Sequence, residues 1–188
     1  MPVVRLNTGP ALTQQRRLEL LHHYLHDTDT PTATRGAACL LLLFAQPLSR
    51  ILRLTVDDIT HDDHGGMLLR LGEPPIPVPE PFAALVADLA ADREHLGGVA
   101  NATCRWLFPS RCPGQPLAYL TLLRRLRKLG FPLQQARASA VRELVLQVPA
   151  PVVADALGFH QTTTARQATN AGSTWSPLPA TTVVMSMF

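Results

Sequence analysis

The run AACLLLLFA, from Ala37 to Ala45, constrains the fold more than any other stretch of the chain. It is far shorter than the roughly 20 apolar residues that a membrane-spanning helix needs. A helix that is apolar on every side must be buried, so this run predicts a central core helix. Thr30 is its expected N-cap, with Pro31 just inside the helix, and Pro47 is expected to end or kink it.

The segments around this core helix predict a mainly α fold of the α+β class. Amphipathic helical patterns flank the core helix on both sides, and a small antiparallel sheet of two to three strands is expected in the middle. MLLRL predicts one strand, while the prolines of EPPIPVPEP allow at most an edge strand at IPV beside it. We expect a single domain over residues 1–175 and an irregular tail over residues 176–188.

Charge is unevenly distributed along the chain, whose formal net charge is +3. Residues 1–100 hold eight arginines and twelve acids, whereas residues 101–188 hold nine basic residues and two acids. A strongly basic half favours a polyanionic partner such as nucleic acid. A solvated face that binds nothing would have the same composition.

The cysteines, the N-terminal segment and a histidine pair indicate the cellular compartment and whether a metal or cofactor is expected. Three cysteines form an odd and sparse set, which predicts a reducing, cytoplasmic setting without a disulfide framework. MPVVRLNTGP lacks the apolar segment of a secretory signal, and no membrane association is expected. His22 and His26 are i, i+4 neighbours that could clasp a metal, but no third ligand has a fitting spacing. We therefore expect neither a metal nor a cofactor.

The segment PLAYLTLLRRLRKLG predicts an amphipathic basic helix that Gly130 ends. One arc is apolar and is expected to pack inward: Tyr119, Leu122, Leu126 and Leu129. The opposite arc carries cations that we expect to contact DNA: Arg124, Arg125 and Lys128.

Residues 150–171 fit a helix-turn-helix hairpin. Ala154 is small where two helices must approach each other, and Gly158 can adopt the left-handed turn. The exposed face of the second helix would present groups that bind base edges or phosphates: Gln161, Thr162, Thr163 and Arg166. A purely structural hairpin has the same pattern.

Five short motifs occur in the order in which the catalytic domain of tyrosine recombinases (phage integrases) has them. RGAACLLLLFAQPLSRILRLTVDDI resembles the apolar helix and Thr-Gly-Leu-Arg turn of that family, and MLLRL with IPVP resembles its small sheet. WLFPS, QQAR and ALGFH resemble its Leu-Phe-Pro, His-x-x-Arg and Leu-Gly-His. The resemblance runs from about Arg35 to Gly172. It implies a helical recombinase-like domain that binds double-stranded DNA and belongs to DNA recombination and integration.

The same resemblance indicates which catalytic groups are missing. The family attacks a phosphodiester with a tyrosine, aided by two arginines, a lysine and histidines that stabilise charge and move protons. Here the tyrosine falls on Ala168, the first arginine on Pro47 and the first histidine on Gln134. The sheet lysine has no counterpart. Three remnant candidates are left: Arg50, Arg137 and His160.

We therefore expect a DNA-binding protein that does not cleave DNA, with Arg137 among the residues that contact the duplex. A homo-oligomer or an active recombinase is the expected protein partner. Three alternatives stay open. One is a recombinase completed in trans by a partner's tyrosine, another a helix-turn-helix transcription regulator, and the third a protein-interaction or remnant domain without a nucleic-acid role.

Overall fold

The computed structural model describes residues 12–96, 104–112 and 114–159. Within these ranges the chain forms seven α-helices, a 3-10 turn at Val56–Asp58 and three strands. The helices are α1 (Gln14–His26), α2 (Thr32–Phe44), α3 (Leu48–Ile51), α4 (Phe82–Leu96), α5 (Tyr119–Lys128), α6 (Leu133–Gln147) and α7 (Ala150–Leu157). The strands are β1 (Ile59–His61), β2 (Met67–Leu69) and β3 (Ile76–Pro77). The predicted mainly α fold with a small antiparallel sheet is confirmed.

The helix α2 forms the centre of the core, as its apolar run predicts. Residues 37–42 are each at most 2 % exposed, and α1, α4 and α6 pack around this helix. Ala45 ends α2 in the left-handed conformation with φ 55°. Pro47 then stands at the N-cap of α3, so the chain turns sharply between the two helices.

The start of α2 differs from the prediction. The helix begins at Thr32 with Pro31 as its N-cap, and no side chain caps the first turn. Thr30 is buried, and its side chain forms a hydrogen bond with the carboxylate of Asp27, which also accepts the Asp29 N–H at 2.9 Å. These hydrogen bonds lower the pKa of Asp27. Thr30 is therefore not the cap, because its hydroxyl is used by the preceding turn.

The three strands form an antiparallel sheet in the order β1-β2-β3. Leu69 on the central strand is 1 % exposed and is paired with Ile59 on one side and Ile76 on the other. Residues 104–112 contribute further backbone pairing beside residues 54–56. The strand β2 leads directly into the turn at residues 70–73, which packs against the end of α7.

Arginine side chains bind the carboxyl-terminal ends of helices at several places in the described residues. The last carbonyl groups of a helix lack intrahelical partners and carry partial negative charge, which a guanidinium complements. At the end of α1, Arg35 donates to Tyr24 O and Leu25 O. At the end of α2, Arg17 donates to Leu42 O and Arg137 donates to Ala45 O. At the end of α7, Arg50 donates to Leu157 O and Gly158 O, and all these distances are 2.6–3.0 Å. Three helices are thus tied at one end to side chains from other parts of the chain.

Candidate functional site

The end of α7 is held tightly against the turn that follows β2. Gly158 ends the helix in the left-handed conformation with φ 60°, as the sequence predicts for this glycine. The N–H of Glu73 donates to Asp155 O at 3.0 Å. A Cβ atom on Gly72 would lie 2.0 Å from the same carbonyl oxygen, so only glycine allows the two backbones to approach this closely.

Arg50 joins these two segments through its guanidinium group. Its Nη1 donates to the carbonyl oxygens of Leu157 and Gly158, each at 2.8 Å, and its Nη2 donates to Leu71 O at 2.6 Å. Three of the five N–H groups of the side chain are therefore used by backbone carbonyls. The helical pattern of LSRILRL, with Leu48, Ile51 and Leu52 facing inward, predicts an outward-facing Arg50, but the structure turns this side chain towards α7.

Arg137 reaches the same turn from α6. Its Nε donates to Ala45 O at 2.9 Å, and its guanidinium carbon lies 5.9 Å from the centroid of the Phe159 ring. Burial lowers the pKa of Arg137. Gln46 is fully buried beside this contact and donates from Nε2 to Leu157 O at 3.1 Å. The structure thus brings both predicted arginines to the residues 157–159, from positions far apart in the sequence.

An open concavity of about 780 Å³ lies at this turn. Its charged lining consists of two guanidinium groups and three carboxylates, namely Arg50, Arg70, Asp58, Glu73 and Asp155. A phosphodiester placed here would face more negative than positive side-chain charge, and repulsion by nearby carboxylates opposes its binding. The arrangement is unlike the preorganised cations that a pentacoordinate phosphate transition state requires.

The basic helix α5 has a solvent-facing cationic surface. Leu122 and Leu126 are fully buried, while Arg124, Arg125 and Lys128 are all exposed. At 100° per residue, Arg124 and Lys128 lie almost opposite the two buried leucines. These residues keep their donors free for a ligand, since no ion pair within 4.0 Å is found for them in the described ranges.

Two details of α5 differ from the sequence prediction. Tyr119 and Leu129 are 48 % and 45 % exposed, although both were expected to pack inward. They stand at the first residue and at the C-cap of the helix, where the apolar arc extends beyond the core. Arg127, which is not among the cations predicted to contact DNA, is exposed as well and adds a fourth cation to this helix.

The remaining predicted site residues lie outside the described residues: His160, Gln161, Thr163 and Arg166, together with Ala168 at the position of the missing tyrosine. The first helix of the expected hairpin is α7, but its second helix falls in the same undescribed segment. Among the residues that the structure covers, no group of three or more potential ligands is placed to hold a metal ion. His22 and His26 stack on each other with ring centroids 4.3 Å apart.

The fold is that of tyrosine recombinases and integrases, so the predicted resemblance is confirmed for the architecture. The similar solved structures include XerH site-specific recombinase bound to a palindromic difH substrate (TM-score 0.59, 17 % identity, 86 % of this chain) and the Tn1549 transposon integrase with transposon right end DNA (TM-score 0.57, 16 % identity, 86 % of this chain). A lambda integrase dimer bound to a COC′ core site is also similar (TM-score 0.51, 16 % identity, 90 % of this chain).

The likeness to these structures is partial in length and remote in sequence. The chain spans 50 % of the XerH chain, 62 % of the Tn1549 integrase chain and 51 % of the lambda integrase chain. No protein-family model matches the sequence, and no curated protein matches it significantly. Within the ranges that the structure covers, no helix is both long enough and apolar enough to span a membrane.

Proposed function

We propose that this chain binds double-stranded DNA through a recombinase-like domain and does not cleave it. The observation that carries the proposal is the exposed cationic surface of α5, defined here as Arg124, Arg125, Arg127 and Lys128, on a fold shared with DNA-bound recombinases. Guanidinium and ammonium groups that face solvent without an acidic partner are the groups that bind DNA phosphates. Gln161, Thr163 and Arg166 would add contacts to base edges from the second helix of the hairpin.

The chemistry of the residues present supports the proposed absence of cleavage. The chain has two tyrosines, Tyr24 and Tyr119, and neither falls at the position that the resemblance assigns to the nucleophile. Tyr24 is 2 % exposed, and its pKa is raised by burial and then by Asp27, so it is neither accessible nor readily ionised. Arg50, the closest substitute for the first catalytic arginine, uses three donors on backbone carbonyls.

The proposal extends to setting and assembly. We infer that the chain acts in the cytoplasm and meets DNA as a homo-oligomer or beside an active recombinase. Beside an active recombinase, the chain would supply affinity for the duplex and leave the cleavage chemistry to that partner.

A salt titration of duplex binding tests the proposal. Each phosphate neutralised by the protein contributes a slope of roughly −0.9 in log K against log salt. Replacing Arg124 and Lys128 by Ala should weaken binding to all duplexes and flatten the slope by up to about 2. Arg16→Ala combined with Arg142→Ala is the control, because it removes the same number of positive charges from exposed side chains on α1 and α6. Duplex binding that is undetectable at about 50 mM salt would contradict the DNA hypothesis.

A further inference from the structure

A second cavity, of about 490 Å³, lies at the other end of α2 from the site described above. It is bounded by the first turn of α2, by α4, by residues 107–117 and by α5. Its volume falls in the range of roughly 300–1,000 Å³ that small-molecule sites in proteins occupy. It is more enclosed than the concavity at α7 and has a different composition.

The wall of this cavity combines an apolar body with two cations. Half-buried side chains form its accessible apolar side, namely Ala33, Pro109 and Leu117, whereas Leu89 and Leu107 also line it but are at most 3 % exposed. Arg111 and Arg125 stand at its exposed rim, and neither makes an ion pair within 4.0 Å in the described part of the chain. Asp92 is the one acid in the lining. The cavity therefore carries a net charge of +1 beside a surface that favours apolar atoms.

Backbone groups reinforce the positive rim. Pro31, Thr32 and Ala33 line the cavity, and they form the N-terminal end of α2. The first turn of α2 has no side-chain cap, so its free N–H groups and the positive end of the helix dipole act in the same direction as the two arginines.

We propose that this cavity binds an amphiphilic organic anion, with its acid group on Arg111 and Arg125 and its hydrocarbon body along Ala33, Pro109 and Leu117. Duplex DNA does not fit this chemistry, because its phosphates are flanked by sugars and water and offer no apolar body to this side of the cavity. An inorganic anion would leave the apolar wall without a partner for the same reason. The inference goes beyond DNA binding and gives Arg125 a second role that Arg124 and Lys128 do not share.

The test compares three probes on the full chain by isothermal titration and by amide chemical shifts. Octanoate has both the acid group and the apolar body, 1-octanol has only the apolar body, and inorganic phosphate has only the charge. We expect octanoate to bind at least about tenfold more tightly than either of the other probes. Equal affinity for 1-octanol or for phosphate would overturn the proposal.

Variants locate the binding and separate it from DNA contacts. Arg125→Ala and Arg111→Ala should each weaken octanoate by about tenfold, because each removes a charge-assisted hydrogen bond. The neighbouring Arg124→Ala is the matched control and should leave octanoate binding unchanged. Ala33→Leu fills the cavity without changing any charge, so it should abolish octanoate binding while the affinity for duplex DNA stays the same.

Two results would contradict the assignment. Octanoate binding that falls equally in Arg124→Ala and Arg125→Ala would indicate diffuse charge rather than a site. If the chain binds an acidic, leucine-rich peptide but does not bind octanoate, the cavity would be assigned to a protein partner instead. A failure of duplex binding with octanoate binding intact would overturn only the proposed DNA function.

Discussion

Replacing Arg50 by Ala distinguishes a guanidinium that holds the fold together from one that binds phosphate. In the structure its side chain donates to Leu157 O, Gly158 O and Leu71 O. Leu157 O keeps a second donor, the Nε2 of Gln46, and therefore loses little. The other two oxygens lose the only side-chain donor that the described residues provide.

The expected loss of stability in Arg50→Ala is set by these two oxygens, Gly158 O and Leu71 O. A buried acceptor left without a hydrogen bond costs about 1–3 kcal/mol. Gly158 O belongs to the low end of that range, since its contact with Arg50 is exposed and water can replace the donor. We therefore expect Arg50→Ala to lower the free energy of unfolding by about 2–4 kcal/mol. This is a large part of the roughly 5–15 kcal/mol that stabilises a typical domain.

Urea denaturation followed by far-ultraviolet circular dichroism measures the loss, with the slope of the transition checked for constancy. Arg50→Lys should restore less than half of it, because an ammonium group cannot bridge the carbonyls of two segments as a planar fork does. Arg53→Ala, an exposed arginine just after α3, is the control and should stay within about 0.5 kcal/mol of the parent. A loss below about 1 kcal/mol for Arg50→Ala, with a tenfold drop in duplex affinity, would refute the structural role.

Three further predictions concern other residues. Gly72→Ala should prevent folding or destabilise the chain by more than about 3 kcal/mol, because the new Cβ would overlap Asp155 O. Gly130 has open space around it, so Gly130→Ala should cost only about 1 kcal/mol of left-handed backbone strain. Equal shifts of the melting temperature in the two variants would contradict this difference. Burial raises the pKa of the Cys39 thiol from 9.0 to about 12. In the native protein at pH 8, iodoacetamide should therefore modify the exposed Cys112 and spare Cys39. Because the Cys39 thiol ionises at a lower pH in the unfolded chain, its contribution to stability should fall as the pH rises from about 9 to 12. A suicide duplex should yield no protein-linked DNA on a denaturing gel, and a covalent band would reveal a nucleophile in the chain.

Local pattern was enough to predict the core and the class of the fold. The apolar run at residues 37–45 requires burial whatever surrounds it, so α2 could be placed at the centre from composition alone. Turn residues and prolines limited the sheet to short strands, as observed. The left-handed end of α7 was predictable because Gly158 is the residue type that such an end prefers.

Features that depend on distant contacts could not be predicted in the same way. Helical periodicity directs Arg50 outward, and only the presence of α7, whose last carbonyls are more than 100 positions later, turns it inward. Thr30 has the right chemistry for a cap, but the competing carboxylate of Asp27 takes its hydroxyl. The cavity that includes Arg125 involves residues from four separate segments, and no linear motif connects them.

The arginines at the helix ends have a consequence for how the chain folds. The guanidinium group that binds the last turn of α7 belongs to Arg50, 107 positions before Leu157. At the end of α2, Ala45 O is bound by Arg137, which lies 92 positions later in the sequence. A short helix is marginal by itself, so α7 gains its final turn only when residue 50 has met residues 157–158, far apart in the sequence. Forming such contacts requires closing long loops, which slows folding and makes it cooperative. We expect amide hydrogens at the end of α7 to exchange only through global unfolding, with the same opening free energy as those in the centre of α2.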